Sequence, residues 1–420
     1  MRRYSIIALL FFISLTAAAD AERAGQNLLL YGNSPAVAGS GGTGVTGSGI
    51  QYFGLNPAAA STIERPAMSL YYGGFGDYID PSLTLLFPSS YGVFGGSMRM
   101  MRVDSDKGLS DGYRLRGGAA KQITDRLSLG ASLDLLYGKA GGSCFYAGAG
   151  LGATYRTAYE KSFKKGFGFY RPALGISGTA GVPFGSHSAN SDMSRATIGY
   201  SFGFYRDSLL AVSFRNDISA MHGYGSFPVS WGLESVFADA YSVRIGGSYP
   251  AAYTYGDLSC GLGARFDAQY FSATLDYALV HKRGSEFVHY LGVSAEFGEL
   301  DRDPPIAIVR SNELYISPNH DGTQDYALIT LDVSDRSRIK GWRFQILDPN
   351  GAVMKEFKAP TRDVEEDLSV KEFFRRIVSS RESIVVPDAV MWDGTDANGA
   401  VVSDGRYRYS FMTWDERDNY

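Results

Sequence analysis

Eight ionisable residues recur in stretches whose other residues are apolar or small: Arg114, Arg116, Asp134, Glu234, Arg244, Arg265, Asp276 and Glu296. Four are cations and four are carboxylates, so gathered in one interior they can neutralise one another. A salt-bridged lining suits such a set better than acid–base catalysis. The five histidines, His187, His222, His281, His289 and His320, are scattered, form no ligand pair at metal spacing, and accompany no Gly-x-Ser-x-Gly element. No enzyme and no cofactor are expected. Asn319, Asp321 and Asp325 could supply oxygens to a calcium ion, although residues of this kind more often cap turns. Cys144 and Cys260 lie far apart in the sequence; a disulfide between them is permitted in an oxidising compartment and not required.

The elements that position the ionisable residues follow from alternation. Tyr241, Val243, Ile245, Gly247 and Tyr249 share one parity, while Ser242, Arg244, Gly246 and Ser248 share the other. Phe271, Ala273, Leu275 and Tyr277 likewise oppose Ser272, Thr274 and Asp276. A period of two gives a strand with two unlike faces. The segments run about 9–11 residues, the length a tilted strand needs to cross a bilayer, with aromatics at the ends of the apolar faces. From 67–75 to 287–297 about fourteen such segments can be counted, an even number, as a closed single-chain barrel with both ends on one side needs. Tight turns such as Ala238-Asp239-Ala240 alternate with longer connections such as 181–194. The stretch 158–167 is too long for a turn and implies a slipped boundary or an excursion. Lys121 falls on the apolar face, near a strand end where the penalty for a lipid-facing cation is small. Pro172, inside a segment, lacks a ladder donor; it marks a late strand entry or a possible opening in the wall.

The 420 residues include 51 Gly, 28 Tyr and 25 Phe, a composition suited to closely packed β-structure with aromatic girdles. The formal charge of −4 gives no reason to expect a nucleic-acid partner. Met1-Arg2-Arg3, an apolar run from Ile6 to Leu15 and Ala17-Ala18-Ala19 make the three parts of a signal peptide, expected over 1–21. No later apolar run is long enough for a transmembrane helix, so a membrane form must be a closed barrel.

Residues 22–66 precede the first strand and carry Gly39, Gly41, Gly42 and Gly44, followed by Asn56, Pro57 and Ala58. Together with about fourteen strands over 67–298, this pattern resembles the FadL family of outer-membrane channels for long-chain fatty acids and hydrocarbons. The resemblance implies a barrel whose N-terminal segment folds inside as a hatch, with hydrophobic small molecules or lipids as ligands and the outer-membrane bilayer as surroundings. The connections here are short beside the family's external loops, so a surface entry groove is not implied.

Composition changes at 299–305, where charges rise and Pro304-Pro305 marks a linker. Beyond it, Ser317-Pro318-Asn319, Trp392-Asp393-Gly394 and Ser403-Asp404-Gly405 resemble the immunoglobulin-like module of flagellar hook-capping proteins, interrupted by a charged amphipathic helix over 365–380. The expected fold class is therefore all-β: a fourteen-stranded antiparallel transmembrane barrel plus an immunoglobulin-like sandwich over 306–420. With an even strand count the module lies in the periplasm, where it could bind envelope proteins. The function this points to is passive uptake of hydrophobic molecules through a hatch-gated channel. The alternative is an outer-membrane scaffold or secretion adaptor whose barrel anchors a periplasmic protein-binding domain.

Overall fold

The computed structural model describes residues 34–420 apart from 76–77, 104–109, 140–142, 158–159, 163–166, 185–192, 207–208, 222–226, 250–257, 282–286, 300, 302, 360–368, 380–382 and 417–418. The expected signal peptide lies outside the described residues, as do the side chain of Cys144 and the ends of the 365–380 segment. Cys260 is a free thiol on the outer face.

The first compact unit is a closed antiparallel barrel. Its strands are β1 (Ala67–Phe75), β2 (Tyr78–Ser89), β3 (Gly92–Val103), β4 (Ser110–Gln122), β5 (Leu127–Lys139) and β6 (Ser143–Arg156). A three-residue strand, β7 (Glu160–Ser162), follows, and then β8 (Phe167–Phe184), β9 (Met193–Arg206), β10 (Leu210–Met221) and β11 (Val229–Phe237). The circuit continues through β12 (Tyr241–Tyr249), β13 (Leu258–Asp267), β14 (Phe271–His281) and β15 (Phe287–Phe297). Each strand pairs with its neighbour, β8 pairs with β6 past β7, and β15 pairs with β1 in the register Ala67↔Glu296. Fourteen strands therefore close the wall. β7 pairs only with the first residues of β8, so the long stretch after β6 is an excursion beside the barrel.

The alternation read from the sequence is the alternation of faces. Along β12, Tyr241, Val243, Ile245 and Tyr249 are exposed while Ser242, Arg244, Gly246 and Ser248 are buried; Gly247, of the outward parity, is the exception and is buried, having no side chain to project. Leu133 and Leu151 on the outer face are 72% and 69% exposed. An apolar outer band this continuous belongs in hydrocarbon, where a closed ladder leaves no backbone group unpaired. No helix among the described residues is long and apolar enough to cross a membrane.

The second compact unit comprises Leu300–Val370 and Ser380–Tyr420. It contains two three-stranded antiparallel sheets. One orders β16 (Ile306–Ser311), β17 (Ala327–Ser334) and β20 (Ala389–Trp392); the other orders β19 (Val353–Lys358), β18 (Ile339–Leu347) and β21 (Arg408–Asp415). Ile329 and Leu331 from the first sheet share one core with Trp342, Phe344 and Ile346 from the second. The buried indole of Trp342 donates to the Val385 carbonyl at 3.2 Å, which keeps its one polar atom satisfied. The intervening helix, Val370–Val378, groups over Lys371–Ser379 with the barrel unit.

Candidate functional site: the segment inside the barrel

Residues Ser34–Ile63 fold within the lumen and are almost all buried. The segment begins with a short helix, α1 (Pro35–Gly39), whose first turn is capped by Ser34 and opened by Pro35, the residue best suited to that position. It ends in a 3₁₀ turn, Pro57–Thr62, where Asn56 is the cap and Pro57 the first residue. The Asn-Pro-Ala element is thus a local helix start. Its asparagine also does a second task. Asn56 Oδ1 accepts from Ala58 N at 3.0 Å, while Nδ2 donates to the Val45 carbonyl at 2.6 Å and to Thr154 Oγ1 on β6 at 3.2 Å. One side chain fixes the turn, the segment's own fold and its place on the wall.

Between these turns the backbone passes through left-handed geometry at Gly41, Gly42 and Gly44, with φ of 69°, 85° and 152°. Gly41 has a further reason to lack a side chain: a Cβ there would lie 2.5 Å from the Trp231 carbonyl oxygen and nearer still to Gly247 N. A Cβ on Gly39 would lie 3.0 Å from Gly261 Cα. The wall reciprocates. Gly130, Gly152 and Gly246 face inward on β5, β6 and β12, and a Cβ on any of them would strike Ala58, Asn56 and Gly41 respectively. These wall glycines are points of contact with the inner segment that the sequence reading missed, although their inward parity on separate strands was a usable signal.

Charge supplies the remaining attachment. Arg116, 2% exposed, binds Asp134 through Nε at 2.8 Å and donates through Nη1 to the Phe53 and Gly54 carbonyls at 3.1 and 3.0 Å. Arg114 Nε shares the same carboxylate at 2.7 Å. Across the lumen Arg244 joins Glu234 to Asp276, and Asp276 accepts from Gln51 of the inner segment at 2.7 Å. Arg215 also pairs with Glu234 and places its guanidinium 5.4 Å from the centre of the Tyr52 ring. Asp217 receives the backbone N–H groups of Gly44 and Val45 at 2.7 and 3.0 Å. Glu296 pairs with Arg65 at the end where the chain enters. Arg265 keeps the inward parity but lies exposed at that mouth, paired with Asp267 outside the network. Of the eight predicted charges, seven line or rim the lumen. Arg65, Arg215, Asp217 and Arg156, which donates to the Thr46 and Gly47 carbonyls, were not singled out, because only strand register reveals which loop or strand atom each one meets.

Pro172 sits at a register shift between Tyr170 and Ala173, where β8 changes partner from β7 to β6. Its carbonyl accepts from Thr157 N at 2.9 Å. In the second unit, Asp321 accepts from Asn319 Nδ2 and Thr323 N, and Asp325 accepts from His320 N and Gly322 N. The Asn319 amide, with the Thr323 N–H, holds the Asp321 carboxyl below its ordinary value. All three predicted calcium ligands thus also brace their own turn. A separate trio, Asp301, Asp335 and Asp415, brings one carboxylate oxygen from each within 4.8 Å of the others.

No family model matches the sequence, and no curated protein matches it. Among solved structures the chain is similar to the toluene transporter TodX of Pseudomonas putida, at 13% identity and a TM-score of 0.41, over 65% of this chain and 99% of that one. It is similar too to the toluene transporter TbuX of Ralstonia pickettii, at 14% identity and a TM-score of 0.38, over 65% and 100%. A FadL homologue of Pseudomonas aeruginosa follows at 12% identity and 0.35, over 68% and 99%. At these values the likeness assigns no substrate. The barrel stands on its own strand pairing.

Proposed function

We propose that this protein is an outer-membrane channel for passive uptake of hydrophobic small molecules such as long-chain fatty acids, with residues 34–63 as its hatch. The observation that carries the proposal is a lumen filled by the chain's own N-terminal segment, fastened to the wall by side chains such as Asp217, Arg116 and Asn56. Ligand can displace a segment held in this way while the ladder of the wall stays intact. Glycines at the points of closest approach let the backbone shift without dragging bulky groups. Apolar cargo would leave sideways into the bilayer rather than into water, and Pro172, at the partner change in β8, is the candidate position for such a wall opening.

The same reading makes 1–21 a signal peptide and 306–420 a periplasmic immunoglobulin-like module, supported by two small sheets sharing one core. That independent core also favours a second role: the module as a binding platform for envelope proteins, with the barrel as its anchor. The decisive experiment reconstitutes the protein in liposomes and follows entry of a fluorescent fatty acid, alongside ion conductance of a variant lacking 34–63. Faster entry for the intact protein and raised conductance for the deletion are expected. Entry no faster than in empty liposomes would sink the transport reading, and envelope proteins that co-purify only while 306–420 is present would favour the platform.

A further inference from the structure

The helix inserted into the C-terminal part of the chain carries an apolar face that no other part of the described chain buries. We name it α2 (Val370–Val378). Successive residues turn by about 100° around a helix axis. Val370, Phe373, Phe374, Ile377 and Val378 therefore fall on one arc, and Lys371, Glu372, Arg375 and Arg376 on the other. The apolar arc is not consumed by packing. Phe374 is 61% exposed, and Val370 and Val378 are 70% and 73% exposed. No residue of the helix is fully buried. In water this face is a cost without a return.

Its mooring places it beside the lipid-facing wall. Lys121, the one outward-pointing cation at the end of β4, donates from Nζ to the carbonyls of Ile377 and Ser379. These oxygens belong to the helix C-terminus, where carbonyls lack intrahelical partners and a cation is favoured. Arg376 donates to the Ile123 carbonyl in the β4–β5 turn at 3.4 Å. The apparent misplacement of Lys121 on the apolar face is thus explained by a partner more than 250 residues away.

The wall at this spot lacks what its other strand ends carry. Around the same end of the barrel, Phe87, Tyr91, Tyr241, Phe271 and Phe297 are exposed aromatics at the edge of the apolar band. The β4–β5 turn, Ile123-Thr124-Asp125-Arg126, carries no aromatic residue. The helix moored there carries two adjacent aromatics, Phe373 and Phe374, whose rings meet edge to face at 5.7 Å.

We propose that α2 lies in the plane of the membrane on the side where the chain enters the barrel. Phe374, Val370 and Val378 sink into the headgroup–acyl boundary, and Lys371 and Arg375 meet anionic phospholipid headgroups. The occupant of the apolar face is lipid, because the helix is moored to Lys121, a residue of the wall's lipid-facing side, and because the polar arc carries three cations to one carboxylate. The inference rests on the barrel spanning a bilayer, and not on what the barrel transports.

The test labels single cysteines with an environment-sensitive fluorophore in a C144S/C260S background of the full chain. The protein is reconstituted in vesicles of phosphatidylethanolamine and phosphatidylglycerol carrying spin-labelled lipids. Three positions are compared: Phe374→Cys, Lys371→Cys and Leu133→Cys on the mid-wall. Labels at 374 and 133 are expected to shift to the blue and be quenched, 374 most strongly by spin labels on the acyl chain just below the headgroup, while 371, at headgroup level, keeps a polar emission and is not quenched by them. If 133 is quenched and 374 is as aqueous as 371, the helix proposal fails and the barrel reading survives. If 374 shifts to the blue without lipid quenching, protein covers the face and the proposal is overturned. If 133 itself is not quenched, both readings fall together.

Discussion

From Val229 to Phe237 each residue of β11 has a ladder partner on β12, whereas the segment between Gly39 and Ile63 is fastened to the wall by side chains: Ser259 at Gly41, Asp217 at Gly44 and Val45, Thr154 at Asn56, Arg116 at Phe53 and Gly54. A ladder tolerates the loss of almost any one side chain, since its bonds are made by backbone. The enclosed segment has no such redundancy. Substitutions that leave the wall closed can therefore loosen its contents, and the contrast can be probed from either side.

The largest effect should come from Asp134→Ala, which leaves Arg114 and Arg116 facing each other in the lumen without their shared carboxylate. Stranding buried charge costs about 3–5 kcal/mol, so the contrast predicts damage to wall and contents together. Urea unfolding in detergent micelles and single-channel conductance should both change. Gly246→Leu comes next. It thrusts a side chain into the Gly41 backbone while leaving β12 paired. Overpacking of this kind costs about 1–3 kcal/mol, and conductance should rise with the heat resistance of the barrel retained. Asn56→Ala removes a cap and two anchoring bonds at once and should cost about 1–2 kcal/mol, read as faster proteolysis within 34–63. If Asn56→Ala instead unfolds the whole barrel, the division between wall and contents is wrong.

The smallest effect concerns the second unit, where the Thr395 hydroxyl and the Lys355 ammonium hold the Asp393 carboxyl down at about 2. A depressed carboxyl contributes stability above its ordinary value of 3.8 and loses it as pH falls through about 2. Wild type should therefore weaken more than Asp393→Asn over that interval, followed through the near-ultraviolet signal of Trp342 and Trp392. The barrel signal should be unmoved.

How far the sequence could be read follows the same division. Tyr241–Tyr249, Leu258–Asp267 and Phe287–Phe297 are legible to the residue, because a strand with lipid on one side and polar groups on the other must alternate. β8 is less legible: its lower residues pair with β7, and the bulge at Pro172 shifts the parity. The inner segment is the hardest. Gly39 to Gly44 and Asn56 mark it as unusual, but its path is imposed by the wall and not by local preference. Asp217 reads as an ordinary inward residue until the register brings Gly44 and Val45 to it. Lys121 was the one residue whose breach of the pattern carried information about a distant part of the chain.

One consequence remains in the pairing of β1 with β15. Ala67 and Glu296 meet across a sequence separation that spans the entire wall, so every shorter chain presents two raw edges. The same late-made stretch brings Glu296 to Arg65, and β14 just before it brings Asp276 to Gln51. Sealing the cylinder and completing the attachment of what it contains are therefore one event, reached only when synthesis has passed Phe297.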